Sequence, residues 1–377
     1  MSEPTQFRWH RTVAVGYAIV FVIIVAWTWV IVFTDQKASD FLSYWAAARL
    51  AADATPALAY DITVHRALEL SIADPEGLLP FPYPPPFLLL LLPLGLAPYW
   101  LAFALWVAST VGLYLLVSRG VAPLAYRLAH PQALANALIG QNGFLTTAMF
   151  VAGMRTLERQ PLLGGAILGL LVIKPQLAVL LPIALLAGRE WRAIAGAAAS
   201  SIALLSIALL IFGMETYRGF FDIVPVYAQA MATSRWPWNE LASVFAFARH
   251  LGVPQQPALI IHAIVALGAT ALVWRAWIRR SELRVPVLAA AILLVPPYLF
   301  TYDALLLIVP MGWLVVRERG PVVVAVAWLC CLLPVVTYIG FYPGPNPIPI
   351  AALLCLWALH AEQSRRAGPA GSVHAPA

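Results

Sequence analysis

The sequence predicts an all-α polytopic membrane protein with about twelve transmembrane helices. Hydrophobic residues make up 62% of the 377 residues and charged residues only 11%, and the mean hydropathy is +0.83. Soluble domains have about a quarter of their residues charged, so the composition excludes a water-soluble protein, and also a disordered or fibrous one. A succession of apolar runs along the chain also supports the membrane class.

The apolar runs set the number of predicted spans, because a bilayer core of about 30 Å requires about 20 apolar residues in a helix. Several runs contain only about 11–12 residues and cross the membrane only if flanking residues extend them, so the range is about ten to thirteen spans. The runs predicted as spans are Val13–Phe33, Pro86–Leu96, Trp100–Val117, Ala133–Gly153, Leu162–Ile173, Leu177–Ala187, Ala193–Phe212, Ala258–Trp277, Val285–Phe300, Leu305–Val316, Val322–Ile339 and Ile348–Leu359.

Basic residues orient these spans, because Lys and Arg accumulate in short cytoplasmic loops. Arg8 and Arg11 precede the first span, and alternation from a cytoplasmic N-terminus places most other arginines of short loops inside as well. We therefore predict a protein of the cell (inner) membrane with both termini cytoplasmic. It forms a single transmembrane domain over 1–361, with outer loops at 34–85 and 213–257, and a disordered cytoplasmic tail over 362–377.

Few residues suggest metal or cofactor chemistry. Cys330, Cys331 and Cys355 lie in apolar runs without metal-ligand spacing and are predicted to be core hydrophobes. The histidines are scattered, and there is no glycine pattern for a nucleotide phosphate and no nucleophile-elbow serine. We expect no metal and no other cofactor. No basic patch is interleaved with aromatic residues, so no nucleic-acid partner is expected; the oligomeric state is left open.

The first outer loop begins with a predicted short amphipathic helix. Phe41, Tyr44, Trp45 and Ala48 follow the i, i+3, i+4, i+7 spacing of one apolar face, which predicts a helix on the membrane surface. Asp40 stands at its start and has two interpretations. It caps free backbone N–H groups, or it is a general base whose basicity rises beside an apolar wall.

The first outer loop also contains a predicted helix cap and a proline-rich segment. Asp61 precedes a second amphipathic stretch, 62–70, and is predicted to cap it. The run 82–86, which contains four prolines, predicts an extended, polyproline-like segment leading into the second span. Tyr83 within it either belongs to a rigid connector or is held towards a substrate groove.

Two polar motifs fall on the outer side of the central spans. Gln141 and Asn142 stand between glycines within the fourth span, where amides without hydrogen bonds are costly. They either join two helices or line a polar cavity. Lys174, followed by Pro175 and Gln176, lies at the outer turn between two short runs. Its ammonium either snorkels to the interface or meets a phosphate.

The remaining outer motifs place charge beside aromatic residues. Arg235 precedes Trp236 and is an interfacial anchor or a further cation for a ligand. Tyr302 and Asp303 directly follow the end of the ninth span, where Asp303 is a capping or turn residue or part of a site. Polar groups of both signs thus fall on the outer side, where a lipid-linked substrate would present its headgroup.

In this order and spacing, the motifs resemble those of glycosyltransferase family 87, polytopic enzymes with the glycosyltransferase C fold. The resemblance runs from about residue 34 to about residue 359. It is carried by Asp40-Phe41 with Tyr44-Trp45, Tyr83-Pro84-Pro85-Pro86, Gly140-Gln141-Asn142-Gly143, Lys174-Pro175-Gln176 and Tyr302-Asp303.

The resemblance implies transfer of a sugar, typically mannose, from a polyprenyl-phosphate donor to an extracytoplasmic lipid or glycan acceptor. It also implies that Asp40 is the catalytic base, since in this fold an aspartate close after the first span usually has that role. In the corresponding inverting mechanism, the donor phosphate meets Lys174, with Arg235 or Arg49 as further cations. The residues expected to orient the sugar or acceptor are Tyr44, Tyr83, Gln141, Asn142, Gln176, Tyr302 and Asp303.

Two other functions stay open: a transporter or flippase of lipid-linked sugars, and a membrane scaffold without catalysis. A transporter is typically marked by charged residues at mid-membrane and by inverted repeats, and both are poorly represented in the sequence. A scaffold leaves the polar cluster on the outer side unexplained. We therefore expect membrane lipids, a lipid-linked donor and an acceptor as partners.

Overall fold

The computed structural model describes residues 39–73, 81–233, 238–337 and 344–367, together with residue 79 and a few single positions between 15 and 26. Within these residues, β-structure is limited to two isolated bridges. The α-helices, in chain order, are α1 Phe41–Ala52, α2 Ile62–Leu70, α3 Pro85–Leu91, α4 Tyr99–Val117, α5 Leu124–Ala129, α6 Pro131–Ile139, α7 Gly143–Leu157, α8 Pro161–Gly169, α9 Pro175–Ala178, α10 Leu181–Ala187, α11 Trp191–Ala232, α12 Val244–His250, α13 Gln255–Ile278, α14 Arg284–Ile292, α15 Ile308–Val316, α16 Pro321–Thr337 and α17 Ile348–Ala367.

Within the described residues, three helices, α4, α11 and α13, are long and apolar enough to cross a membrane. This architecture fits the predicted all-α membrane class, whereas about twelve spans are not shown. The predicted first span lies largely outside the described residues. Shorter apolar helical segments lie at Pro85–Leu96, Pro161–Ile173, Pro175–Ala187, Thr301–Val316, Pro321–Val335 and Ile348–Gln363.

Among the described residues, a large apolar core connects helices from α1 to α17, and a second, small cluster contains Phe245, Ala248 and Ala258. Cys330, Cys331 and Cys355 are buried in the large core as free thiols, so the prediction that they are core hydrophobes is confirmed.

The predicted fourth span is not one continuous helix: α6 ends at Ile139, and α7 begins at Gly143. Gly140 has a left-handed backbone (φ 69°), and a Cβ there would lie 2.6 Å from the Cβ of Phe41. Glycine alone adopts this conformation at little cost and fits the gap. The indole Nε1 of Trp106 donates to the Gly140 carbonyl at 2.8 Å and fixes the break. The amide motif therefore joins two helices.

The predicted ninth span is also wrong in its second half. α14 ends at Ile292, and residues 293–300 are not helical, because Pro296 and Pro297 cannot continue the backbone hydrogen bonds. The backbone N–H of Ala242 donates to the carbonyl of Leu299 at 2.6 Å. A 3₁₀ helix, Thr301–Leu307, then leads into α15 and packs against α6 and α7.

The segment predicted as the second outer loop and the predicted tail contain more helix than the sequence predicts. α11 bends at Gly213 (φ 79°, ψ 171°) but continues to Ala232, so much of segment 213–257 is helical. α17 extends to Ala367, so the tail predicted as disordered from residue 362 is helical in its first residues. The Arg319 side chain lies 3.6 Å from that of Glu362, which is buried. Residues 368–377 lie outside the described part.

The first predicted amphipathic helix, α1, does not lie on the membrane surface. Ten of its twelve residues are buried, including the whole predicted apolar face. α3, α4 and the 3₁₀ helix Leu92–Leu96 surround it. A Cβ at Gly95 would lie 2.2 Å from the carbonyl oxygen of Ala48, so the two backbones are in close contact. The small side chains of α1 permit this approach, and the helix holds Asp40 against the protein interior.

Candidate functional site

The carboxylate of Asp40 does not cap α1. Asp40 occupies the N-cap position, but its side chain makes no capping hydrogen bond. Instead, its Oδ2 accepts a hydrogen bond from Nε2 of Gln141 at 3.0 Å. Burial raises the pKa of the Asp40 carboxyl above 3.8, and the hydrogen bond from Gln141 opposes part of that rise. Asp40 is therefore a more basic carboxylate than one in water, held by one neutral donor.

A chain of hydroxyl groups continues from Gln141. The Tyr44 hydroxyl donates to Oε1 of Gln141 in a short hydrogen bond and lies 2.8 Å from the Tyr83 hydroxyl. The Tyr83 hydroxyl lies 3.3 Å from that of Tyr302. Four residues from separate parts of the chain thus share one polar network, which begins at Asp40.

At the far end of this network lies a buried ion pair. Nζ of Lys174 is 2.5 Å from Oδ1 of Asp303, and both side chains are almost wholly enclosed, with exposures of 1% and 0%. The same ammonium donates to Oδ1 of Asn142 at 2.8 Å. It also lies 4.5 Å from the ring centre of Tyr302 and 5.7 Å from that of Tyr83. One carboxylate, one amide oxygen and two aromatic faces thus compensate the cost of burying the cation.

The break between α6 and α7 positions these groups. Asn136 is fully buried and accepts a hydrogen bond from the Gly143 backbone N–H at 2.7 Å. Its Nδ2 donates to the Tyr302 carbonyl at 3.0 Å. We did not predict Asn136 as part of the site. Its position inside an apolar run was the available signal, because a buried amide in such a run needs hydrogen-bond partners. Asn136 fixes Tyr302 relative to the break that carries Gln141 and Asn142.

Aromatic rings form the wall beside this network. Tyr44 makes edge-to-face contacts with Phe81, Phe87 and Trp106. The hydroxyl of Tyr60 donates to the Tyr83 carbonyl at 2.9 Å. The backbone before α3 is extended at Pro84 (φ −67°, ψ 156°), which confirms the predicted proline-rich connector. Tyr83 is therefore both part of a rigid connector and a member of the network.

Arg49 lies away from this network. It stands near the opposite end of α1 from Asp40, nine residues or about 13 Å along the helix. Its Nε pairs with Asp53 at 2.9 Å, and both side chains are exposed. Gln176 is half-buried on α9 and makes no side-chain hydrogen bond with any of the described residues.

Arg235 falls outside the described residues. The cation beside Trp238 is Arg249, whose guanidinium lies 4.5 Å from the indole ring. Asp61 behaves as predicted, because its side chain accepts hydrogen bonds from the backbone N–H groups of Thr63 and Val64 at the start of α2.

The arrangement combines three chemical capacities. Asp40 can accept a proton from a hydroxyl group. The amides and phenols around it offer donors and acceptors to a polyhydroxylated ligand, and the aromatic wall offers apolar faces. Lys174 supplies a buried positive charge. Among the residues that the structure describes, no group of three or more His, Cys, Asp or Glu side chains could hold a metal ion.

Comparison with protein families matches Glycosyltransferase family 87 over residues 81–297, which is more than half of the chain. The matched region contains Tyr83, Gln141, Asn142 and Lys174 and ends shortly before Asp303. Comparison with curated proteins gives no match. Comparison with solved structures gives none either.

Proposed function

Because the chain belongs to glycosyltransferase family 87, it is a membrane glycosyltransferase, and we propose that it uses a polyprenyl-phosphate sugar as donor. We propose mannose as the sugar and an extracytoplasmic lipid or glycan as the acceptor. The observation that carries the proposal is the network that links the carboxylate of Asp40 to the ammonium of Lys174 through Gln141 and three tyrosines. A base and a cation on one network suit a displacement at a sugar phosphate.

In this reaction Asp40 is the general base. Its carboxylate takes the proton of the acceptor hydroxyl while that oxygen attacks the anomeric carbon of the donor sugar. The bond between the anomeric carbon and the phosphate oxygen breaks, and its electron pair leaves with the polyprenyl phosphate. One displacement from the face opposite the leaving group inverts the anomeric configuration. The raised pKa of Asp40 increases its affinity for the proton in this step.

Lys174 is proposed to stabilise the negative charge that develops on the leaving phosphate. An ammonium has three N–H donors, and Asp303 and Asn142 accept two of them. The third is left for a phosphate oxygen. Because Lys174 is only 1% exposed, the phosphate can reach it only if an aromatic cover residue, Tyr83 or Tyr302, moves. Arg235 remains a proposed second cation, whereas we leave Arg49 out of the phosphate site because of its pairing with Asp53.

The neutral polar groups are proposed to orient the sugar and the acceptor. Tyr44, Tyr83, Tyr302 and Gln141 already exchange hydrogen bonds with one another, so carbohydrate hydroxyls can replace these bonds at little cost. Asn142 accepts a hydrogen bond from the ammonium of Lys174, and Gln176 lies on α9, which begins directly after Lys174; both are proposed to contact the sugar or the acceptor. We place this site on the extracytoplasmic face of the cell (inner) membrane, with both termini cytoplasmic.

A transfer assay tests the function. Full-length protein is reconstituted in vesicles with polyprenyl-phosphate mannose and an extract of envelope lipids and glycans as acceptors. We expect mannosylated product and free polyprenyl phosphate in equal amounts. If the protein were a flippase, donor would become accessible on the other face of the vesicle without any release of polyprenyl phosphate, and that result would refute the transferase proposal.

The pH dependence of transfer is expected to report on Asp40. The base acts only when ionised, and its raised pKa means that activity is lost on acidification at a higher pH than for an ordinary aspartate. Gln141→Leu removes the hydrogen bond that lowers this pKa, so the acidic limb of kcat/KM should move further towards neutral pH. Tyr83→Phe is the matched control, because its hydroxyl does not touch Asp40; it should lower the rate and leave the limb in place. A limb unmoved by Gln141→Leu would contradict the assignment of Asp40 as the titrating base.

Transfer is expected to proceed without a divalent metal. The proposed site supplies its own cation in Lys174, and its carboxylates among the described residues are Asp40 and Asp303, of which the second is paired. Turnover should therefore be unchanged in EDTA after dialysis against chelator. Loss of activity that added Mg²⁺ or Mn²⁺ restores would overturn this expectation.

A further inference from the structure

A cavity lies at the opposite ends of the helices that carry the candidate site. Arg155 follows Gly143 by twelve residues on α7, or about 18 Å along the helix axis. Arg317 directly follows the last residue of α15, whereas Asp303 lies in the 3₁₀ helix before it. The cavity between these distal ends has a volume of about 510 Å³. It is therefore separated from Asp303 and Asn142 by more than half the thickness of a bilayer core.

The inner wall of this cavity is apolar. Phe150, Val151 and Met154 line it from α7, and Val309 and Trp313 line it from α15. All five side chains are buried. The volume lies in the range of small-molecule sites, and an apolar slot between helices suits a hydrocarbon chain.

The rim of the cavity carries arginines. Arg155, Arg159 and Arg317 line it and are exposed, and within the described part of the chain none of them is paired with a carboxylate. Arg155 donates to the backbone carbonyls of Val117 and Arg119, which hold its guanidinium in place without neutralising it. The Arg317 guanidinium lies 4.4 Å from the Trp313 ring centre.

Two glutamates, Glu158 and Glu282, also line the rim. The Glu158 side chain lies 3.7 Å from the guanidinium of Arg284, so its charge is already partly compensated. Three arginines therefore face the cavity against two acidic groups, and the positive side is in excess. Such a rim attracts an anionic group.

We propose that this cavity binds an anionic phospholipid of the leaflet opposite the candidate transfer site. Its phosphate lies between Arg159 and Arg317, and an acyl chain enters the slot lined by Phe150 and Val309. Arginine forms strong charge-assisted hydrogen bonds with phosphate, and arginine-rich ends of membrane proteins face a leaflet rich in anionic lipids. A soluble phosphate would leave the apolar wall uncovered, which favours the lipid.

The proposed lipid stabilises the helices that bear the candidate site. α7 and α15 form walls of this cavity. Asn142, directly before α7, and Asp303, in the 3₁₀ helix that leads into α15, both contact Lys174. A lipid in the slot adds apolar contacts between the two helices at their distal ends. Its binding should therefore raise the melting temperature of the whole protein, because a ligand that binds only the folded state stabilises it.

Lipid titration of the purified full-length protein tests this site. The protein is stripped of lipid in detergent and titrated with phosphatidylglycerol, phosphatidylcholine or inorganic phosphate. Bound molecules are counted by native mass spectrometry, and the melting temperature is recorded. We expect phosphatidylglycerol to be retained and to raise Tm, phosphatidylcholine to bind at least about tenfold more weakly, and inorganic phosphate to have little effect. Equal stabilisation by inorganic phosphate, or by phosphatidylcholine, would overturn the proposal.

Two variants locate the binding. Arg159→Gln with Arg317→Gln should weaken phosphatidylglycerol binding about tenfold or more. The matched control is Arg192→Gln with Arg275→Gln, which removes the same charge from exposed helical positions that do not line the cavity; it should bind as the unmodified protein does.

Val285→Trp fills the slot from α14 and should abolish binding although the arginines remain. If the cavity variants retained unmodified binding, or if the control lost as much as the arginine variant, the lipid would not lie in this cavity. None of these readouts uses transfer activity, so they are independent of the proposed enzyme function.

Discussion

Asp40→Asn is expected to lower transfer by about 10²–10⁴-fold, the range for removal of a general base. The carboxamide cannot take the acceptor proton at any ordinary pH. Its Oδ1 can still accept the hydrogen bond that Gln141 donates to Asp40, so the network and the fold should persist. The measurement is kcat for transfer in vesicles, together with the melting temperature of the purified variant.

Asp61→Asn is the control for this substitution. It removes the same charge from the same predicted outer loop, and asparagine caps a helix about as well as aspartate. Its turnover and Tm should match those of the unmodified protein. Near-normal turnover of Asp40→Asn would remove Asp40 from the role of base, whereas equal losses in both variants would show that the loss comes from changing the loop charge.

Lys174→Ala is expected to destabilise the protein by about 3–5 kcal/mol, because it leaves Asp303 buried without its cation. Lys174→Met combined with Asp303→Asn removes both charges and keeps similar volumes. This double variant should recover most of the lost stability, since no unpaired charge remains. Thermal unfolding in detergent measures both effects, and a Tm of the double variant as low as that of the single one would contradict the buried-pair interpretation.

Transfer kinetics of the same double variant separate two roles of Lys174. If the lysine contacts the donor phosphate, the folded double variant should show a donor KM raised by at least about tenfold, as expected for loss of a charge-assisted hydrogen bond. If Lys174 only neutralises Asp303, the donor KM should be unchanged. The control is Asp303→Asn alone, which retains Lys174, keeps an acceptor for its ammonium and adds no negative charge, and should change the donor KM less.

Several local features of this protein were predictable because neighbouring residues decide them. The cap at Asp61 depends on backbone N–H groups two and three residues later, and the extended segment at Pro84 depends on fixed proline φ angles. The all-α membrane class follows from composition in the same way. The family motifs also singled out most members of the network, although not Asn136.

Tertiary packing decided what the apolar pattern could not. An apolar run predicts burial but not a continuous helix. The breaks at Gly140 and after Ile292 therefore divide runs that were each predicted as one span. The apolar face of α1 predicts contact with an apolar surface, which could belong to lipid or to protein. The close approach of Gly95 to α1 shows that α1 packs against protein.

Composition by itself determined the membrane class, and the order of the motifs predicted that Asp40 and Lys174 belong to one polar cluster. Only the folded chain decided that the carboxylate of Asp40 accepts a hydrogen bond from Gln141 rather than from the backbone of its own helix. It also decided that Lys174 pairs with Asp303, 129 residues away along the sequence. The physical reason is that a buried polar group must find a partner, and in this fold the partner lies on another helix. Helix packing selects that partner, and no spacing along the chain encodes it.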